Sequence, residues 1–387
     1  MADVLVVGAG PAGAATALRL ARAGLEVTIL ERSRFPRRKV CGEYLSAGAV
    51  AALDELELGE AVRAVAAPLQ GVRLVVPGLE PVALRFPGGA LSLARERLDG
   101  AILDAAIAAG ARLVYDHALD VTFARGRVAG VRTAASGDLS ARFVVGADGI
   151  GSLVARKVGA VHPVGARARY AVGGHYSGLP DLNGFVEMYA GAGAYFAINP
   201  LSGDLANVMV VVRKPDLAAW SGAVDEGMRG KAAELGGAHR DFSRAARVGP
   251  RASIGPLAHR VRSASAPGAL LAGDATGFVN PFTGQGIYLA LRCAERAAAT
   301  LLRALQKPGD ESASFAEYAR AVASELRSRA RLAALVDTLV EVPFFARRAA
   351  ARLDRSPQLA AALLDALGGA ASPRTVLRPG TLRRLLV

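Results

Sequence analysis

The chain has 387 residues, 52% of them apolar and 21% charged, which is enough to bury the cores of two interlocked domains and excludes global disorder. Its formal net charge of +13 favours anionic partners, but the basic residues are dispersed and no zinc finger, RNA-binding sheet motif or aromatic-interleaved basic stripe is present, so no nucleic-acid partner is expected. Two cysteines, Cys41 and Cys293, neither in a CxxC, give no disulfide framework, and five histidines without metal-ligand spacing give no metal site.

Residues 4–7, Val4-Leu5-Val6-Val7, form the uninterrupted apolar run of a buried parallel strand, and no secretory leader is expected before them. A helix is predicted over 11–23, ending at Gly24, and a second strand over 27–30. Residues 32–50 read as a basic loop, 69–92 as short alternating strands, 95–109 as a helix, and 113–114, 119–124, 131–133 and 143–145 as strands. From 160 to 262 the pattern changes to the alternation of an antiparallel sheet; 269–305 returns to strand, loop and helix; 311–368 is helical with a break at Pro343. No run of about 20 apolar residues exists, so a cytoplasmic protein is expected, with peripheral membrane contact left open.

Between the first strand and helix lies Gly8-Ala9-Gly10-Pro11-Ala12-Gly13, a GxGxxG. Gly8 permits the tight turn, Gly10 lets backbone approach a pyrophosphate, Gly13 lets helix and strand pack, and the helix N-terminus offers free N–H groups to phosphate. Glu31 ends the second strand, where its carboxylate can accept hydrogen bonds from an adenosine ribose and would repel a 2′-phosphate. The turn by itself does not choose between FAD and NAD.

Two later segments make that choice by resemblance. Gly146-Ala147-Asp148-Gly149, followed by Ser152, resembles the DG segment of flavin monooxygenases, and Leu271-Ala272-Gly273-Asp274-Ala275 resembles the GD segment of the same superfamily. Arg95-Glu96-Arg97-Leu98-Asp99 resembles its Arg-x-x-apolar-Asp helix start, and 281–287 its loop beneath the flavin ring. Lys39-Val40-Cys41-Gly42-Glu43-Tyr44-Leu45-Ser46 resembles the Cys-Gly-Glu-x-Leu-Ser segment of the geranylgeranyl reductase family, within the superfamily that includes the group A flavin monooxygenases. The resemblance implies FAD as cofactor and assigns to it Gly8, Gly10, Pro11, Ala12, Gly13, Glu31, Arg32, Cys41, Gly42, Glu43, Leu45, Arg95, Ala118, Asp148, Gly273, Asp274, Gly284, Gly286 and Ile287. Cys41 should line the reactive face rather than react.

The implied fold is α/β: a Rossmann-type FAD-binding domain (1–75, 93–159 and 265–306), an interleaved antiparallel-sheet substrate domain (76–92 and 160–264) and a C-terminal helical segment (307–387). With no second Rossmann turn, NADH or NADPH would bind transiently as reductant. Prenyl reductases of the family carry Tyr-x-Trp-x-Phe-Pro over the lipid pocket; here 195–200 read Tyr195-Phe196-Ala197-Ile198-Asn199-Pro200, without the tryptophan and second phenylalanine. A halogenase Trp-x-Trp-x-x-Pro is missing as well, while 357–386 resemble the tails of flavoproteins that hydroxylate polyketide-type products. The expected activity is therefore an O2-using, NAD(P)H-dependent monooxygenase hydroxylating a small hydrophobic aromatic, polyketide-type or lipid-like substrate. The alternatives are a flavin-dependent C=C reductase and, outside enzymes, a basic membrane- or nucleic-acid-binding protein with a vestigial nucleotide fold. The sequence names no catalytic residue; the pocket candidates are Cys41, His175, Tyr176 and Tyr195, of which the histidine and the two tyrosines could assist as general acid or base, although such residues on alternating strands more often pack.

Overall fold

The computed structural model describes residues 1–162, 169–191, 194–236, 239–257, 259–278 and 280–386. β1 (Ala2–Val7), α1 (Pro11–Arg22) and β2 (Val27–Glu31) form a strand–helix–strand crossover unit in which β1 pairs in parallel with β2 on one side and with Asp138–Gly146 on the other. Ala269–Leu271 extends the sheet beyond Asp138–Gly146, and Arg112–Tyr115 extends it beyond β2, all in parallel. The hairpin of Ala118–Ala124 and Arg127–Thr133 continues antiparallel from Asp138–Gly146. One face of the parallel strands packs on α1 and the helices Arg95–Ala108 and Gly286–Gln306 through small and aliphatic residues such as Ala14, Leu18, Ile102, Ala294 and Leu301. The opposite face buries Leu5, Val7 and Val144 against the hairpin. Burial on both faces accounts for the uninterrupted apolar runs of these strands.

The second sheet has eight strands in the order Ala246–Ile254, Arg169–Ser177, Ala206–Arg213, Ala194–Pro200, Phe185–Gly191, Ala67–Val75, Val82–Ser92 and Tyr44–Leu45. Its pairs are antiparallel apart from Phe185–Gly191 with Ala67–Val75, which is parallel. A domain boundary at residue 75 falls on the wrong side of Ala67–Val75: that strand's ladder partners all lie in the second sheet, so hydrogen bonding places it there. Alternation divides the sheet into two faces. Phe196, Ile198, Val208 and Val210 face the helix Val224–Gly236, whereas Tyr195, Met209 and Val211 face inward.

The inward face is closed by helices Glu311–Glu341, Pro343–Arg355 and Pro357–Gly368, which place Leu332, Val336, Leu353, Leu363 and Leu364 against Leu69, Val72, Leu84 and Val186. The C-terminal segment is thus one wall of the interior. It is also tied to the parallel sheet, where the phenol of Tyr318 donates to the Leu271 carbonyl at 2.6 Å.

Glu187 anchors the second sheet. It is fully buried and accepts hydrogen bonds from Arg240 Nε and Nη2 at 2.8 and 2.7 Å and from the Tyr189 phenol at 2.7 Å, with Arg73 as a further partner. Burial alone would raise its carboxyl; the bonds from Arg240, Tyr189 and Arg73 outweigh that and hold it at about 2, below the ordinary 4.5. A depressed folded-state value stabilises the fold above the unfolded value and is lost as pH falls through the folded one. Glu187→Gln should therefore cost about 3 kcal/mol at pH 7. Unfolding curves at stepped pH should show the difference from wild type narrowing below pH 4.5 and closing near 2.

Candidate functional site

Four of the segments expected to touch FAD follow directly from the carboxyl ends of neighbouring parallel strands. Gly8 follows β1, Glu31 ends β2, Asp148 follows Asp138–Gly146, and Gly273-Asp274 follow Ala269–Leu271. β1 lies where the strand order reverses, with β2 and Arg112–Tyr115 on one side and the later strands Asp138–Gly146 and Ala269–Leu271 on the other, and at such a switch point an open parallel sheet leaves a crevice for a ligand.

The glycine turn is fixed by contacts that only glycine allows. Gly8 has φ +99°, and a Cβ there would lie 2.5 Å from the Ala147 carbonyl oxygen. A Cβ on Gly13 would lie 1.9 Å from the Gly8 oxygen. Gly10 differs: the nearest atom to its hypothetical Cβ is an Arg37 nitrogen at 3.7 Å, so the space above it is open for a ligand. α1 begins with Pro11, carries no acidic residue in its first turn and has no side-chain cap, which leaves its terminal N–H groups for an anion. Glu31 braces the turn by accepting from the N–H of Ala9 at 2.8 Å and of Ser33 at 2.9 Å. Arg37 joins Glu31 at 3.7 Å to Asp99 at 3.3 Å. Arg32 is exposed, and Ala118 packs beneath the parallel sheet; neither lines the cavity described below.

Gly273, at φ +62°, brings the second loop so close to α1 that a Cβ would lie 2.8 Å from that of Ala12. Burial raises the Asp274 carboxyl against the pull of Lys39, Arg95 and His259. Burial and the charge of Arg95 lower Lys39. Arg95 is buried and bidentate to Asp99, Nε to Oδ1 at 2.7 Å and Nη2 to Oδ2 at 2.8 Å. Asp148 caps the helix Leu153–Lys157 by accepting from the Leu153 N–H at 2.7 Å, and its other oxygen is buried without a partner. Gln285, buried just before the helix Gly286–Gln306, leaves both amide atoms unpaired. Unpaired buried polar atoms are costly in a folded chain. Together with the open backbone at Gly10, they fit a polar, phosphorylated ring system such as FAD, whose diphosphate the first turn would hold and whose ring edge Gln285 would meet.

The Cys41-Gly42-Glu43 segment is locked between the two sheets. The Asn207 amide donates to the Cys41 carbonyl at 2.8 Å and the Asn199 amide to the Gly42 carbonyl at 2.7 Å. Glu43, at φ +57° and buried, accepts from the Arg95 backbone N–H at 3.0 Å and meets His175 Nε2 at 2.8 Å. The Arg38 guanidinium, a donor only, lies 3.3 Å from His175 Nδ1, so Nδ1 accepts and Nε2–H donates to Glu43. Glu43, Glu96 and His175 bring potential metal-ligand atoms within 4.8 Å of one another, but Arg38 already bonds Glu96 at 2.9 Å and His175, supplying the positive charge there. Burial raises the Cys41 thiol, with Arg95 opposing, and keeps it neutral near pH 7. Among the four pocket candidates, Cys41 and Tyr195 line the cavity, His175 stands behind Glu43, and Tyr176 points to the opposite face, where its phenol donates to Asp225 at 2.6 Å. Asn199 and Asn207 were missed as positioning residues; their signal was an amide at the inward position of otherwise apolar strands.

Residues 1–329 match the family described as FAD binding domain. The chain belongs to that family. It is 32% identical over 330 residues to digeranylgeranylglycerophospholipid reductase 1 of Methanopyrus kandleri, covering 81% of this chain and 83% of that protein. It is 32% identical over 320 residues to menaquinone reductase of Mycobacterium tuberculosis, covering 78% and 76%. A flavin-dependent brominase shares the fold, with a TM-score of 0.83 at 21% identity over 97% of this chain and 96% of that one. The chain is accordingly a flavoprotein of an FAD-dependent oxidoreductase family, with the two-sheet α/β fold of its relatives.

The cradle opens into a cavity of roughly 370 Å3 that runs from Gly10 past Lys39, Cys41 and Arg95 to the inward face of the second sheet. Its far end is apolar and is walled by Val72, Leu84 and Met188 on the sheet side and by Ala346, Leu353 and Leu363 on the helix side. Tyr195, Ala197 and Asn199 all face this space. The strand positions at which geranylgeranyl reductases carry tryptophan and phenylalanine thus line the cavity here with a methyl group and an amide. Asn199 is drawn away to bind Gly42 and Ser92. The phenol of Tyr195 is buried without a partner, its ring edge-on to Phe282 at 5.3 Å between centroids, and burial raises it well above the ordinary tyrosine value.

Proposed function

We propose that the chain is an NAD(P)H-dependent monooxygenase that hydroxylates an aromatic-headed, apolar-tailed molecule such as a phenolic lipid. The observation that carries this reading is the continuity of the FAD cradle with an apolar chamber whose near end is widened by Ala197 and carries buried polar atoms without a partner, among them the Tyr195 phenol and the Asn199 side-chain oxygen. A flat ring fits the space vacated by the missing aromatic side chains, and an alkyl tail fits the far end. The overall balance is substrate–H + O2 + NAD(P)H + H+ giving substrate–OH + NAD(P)+ + H2O.

FAD, when bound, would supply the redox chemistry between the nicotinamide and O2. The protein's residues do the rest. The α1 N-terminus and the Gly10 backbone would hold the diphosphate, while Asp274 and Gln285 would orient the cofactor from the other loops. The Asn199, Asn207, His175 and Arg38 contacts hold the Cys41–Glu43 wall rigid. The neutral Cys41 thiol adds no competing charge at that wall, and the Tyr195 phenol donates to or accepts from the substrate's ring oxygen. The C-terminal helices exclude water from the chamber.

Oxygen electrode traces with NADPH and an alkylresorcinol test this reading. Oxygen consumption matched one-to-one by hydroxylated product is expected, and Ala197→Trp should lower turnover at least about tenfold while leaving FAD content unchanged. Product formed at an undiminished rate without oxygen would contradict it.

A second reading, flavin-dependent C=C reduction, is favoured by two observations: the prenyl-lipid and quinone reductases named among the relatives, and the Cys41 thiol that burial keeps protonated beside the cradle, where it could deliver a proton. The same anaerobic assay with a prenyl lipid separates the two.

A further inference from the structure

Away from the flavin cradle, a cleft of roughly 340 Å3 lies between the helix Glu311–Glu341 and the chain that enters the last helix, Pro379–Leu386. Ser324, Arg327, Ser328 and Arg331, spaced to share one helix face, line one side; Arg374 and Arg378, one helical turn apart in number, line the other. None of these four guanidiniums has a side-chain hydrogen bond or ion pair among the described residues. Arg329, on the buried side of the same helix, shows the contrast: it pairs with Glu325 at 2.9 Å and donates to the Ala366 carbonyl at 2.6 Å.

Like charges four residues apart on a helix cost about 0.2–0.5 kcal/mol, and facing a second cationic pair across a cleft adds to that. Four exposed guanidiniums and two hydroxyls line one cleft with no carboxylate among its lining residues, which is the donor set of a phosphate site. Most of this cleft lies beyond residue 329, where the family match ends.

We propose that this cleft binds a phosphate-bearing anion, either a free phosphorylated compound or the headgroup of an anionic phospholipid. The site is independent of the reaction assigned above. Each guanidinium pair grips phosphate oxygens, and the serines complete the donor set from the helix side.

The test uses the full chain saturated with FAD, so that the glycine turn is filled. Inorganic pyrophosphate is titrated calorimetrically at about 50 and 200 mM salt, and flotation is measured with phosphatidylcholine vesicles with and without phosphatidic acid. Wild type is expected to bind at least one probe, more weakly at the higher salt. Arg327→Ala/Arg331→Ala and Arg374→Ala/Arg378→Ala should each weaken binding at least about tenfold, with the flavin spectrum unchanged and the melting temperature not lowered. Arg378→Lys, which keeps the charge and loses the fork, should retain part of the affinity. Pyrophosphate binding supports a free ligand; flotation with phosphatidic acid alone supports a headgroup. Failure of wild type to bind either probe, or binding undiminished in both double variants, overturns the proposal.

Discussion

Gly10→Val should leave the protein folded and colourless. A Cβ at Gly10 meets nothing closer than an Arg37 nitrogen at 3.7 Å, so the valine is accommodated by the protein and projects into the space where the diphosphate must sit. FAD affinity should fall at least about 100-fold, or about 2.7 kcal/mol, with a melting temperature of the cofactor-free protein close to wild type. Gly13→Val provides the contrast: its Cβ would lie 1.9 Å from the Gly8 oxygen, so it should prevent the strand–helix unit from packing and give insoluble or unfolded protein. Flavin titration and thermal melts of the two variants check both halves. Wild-type FAD affinity in Gly10→Val would place the cofactor elsewhere.

The second large effect is at Arg95. Its guanidinium and the fully buried Asp99 carboxylate form a bidentate pair at 2.7 and 2.8 Å, and Asp99's other cation, Arg37, is 3.3 Å away. Arg95→Ala leaves that buried carboxylate with the Arg37 contact alone in place of its bidentate partner, which costs about 3 kcal/mol. Asp99→Ala in the same chain should recover part of the loss, because removing both partners is cheaper than stranding one. Urea unfolding of both single variants and the double variant measures the coupling. Additive losses in the double variant would show that the pair contributes little. The same arginine opposes the upward effect of burial on the Cys41 thiol, so Arg95→Ala should also slow alkylation of Cys41 at neutral pH.

The parallel half of the fold was legible because its physics is local. A strand buried on both faces reads as an apolar run, and a turn that approaches a phosphate reads as glycines at fixed spacing. The DG, GD and Arg-x-x-apolar-Asp segments could be placed because each follows such a strand or opens a helix. Ala67–Val75 was harder: its alternation was visible, but its partner Phe185–Gly191 lies more than a hundred residues away, and nothing local states which sheet a strand will join. The role of 307–387 as a cavity wall was hidden for the same reason, since an apolar helix face does not name what covers it. Within the site, Tyr176 and Tyr195 looked alike in sequence. Strand parity separates them, sending the Tyr195 phenol into the cavity and the Tyr176 phenol to Asp225, and parity becomes certain only once register is known. The Glu43–His175–Arg38 chain joins residues 137 positions apart and could not be read before folding.

The spatial arrangement also explains how related cradles serve different chemistry. The flavin half rests on backbone geometry, glycine contacts and buried ion pairs that tolerate little change. The chamber is lined by side chains on one face of a sheet and by separate helices, where exchange of a tryptophan for Ala197 alters volume without disturbing the cradle.

That one continuous cavity joins the FAD cradle to an apolar chamber is tested by the visible difference spectrum of the FAD-loaded protein on adding an alkylresorcinol. Saturable perturbation of the flavin band near about 450 nm, with one ligand per flavin and its loss in Ala197→Trp, is the expected result. A flavin band that does not respond, while the same ligand binds with equal affinity to wild type and Ala197→Trp, would contradict it.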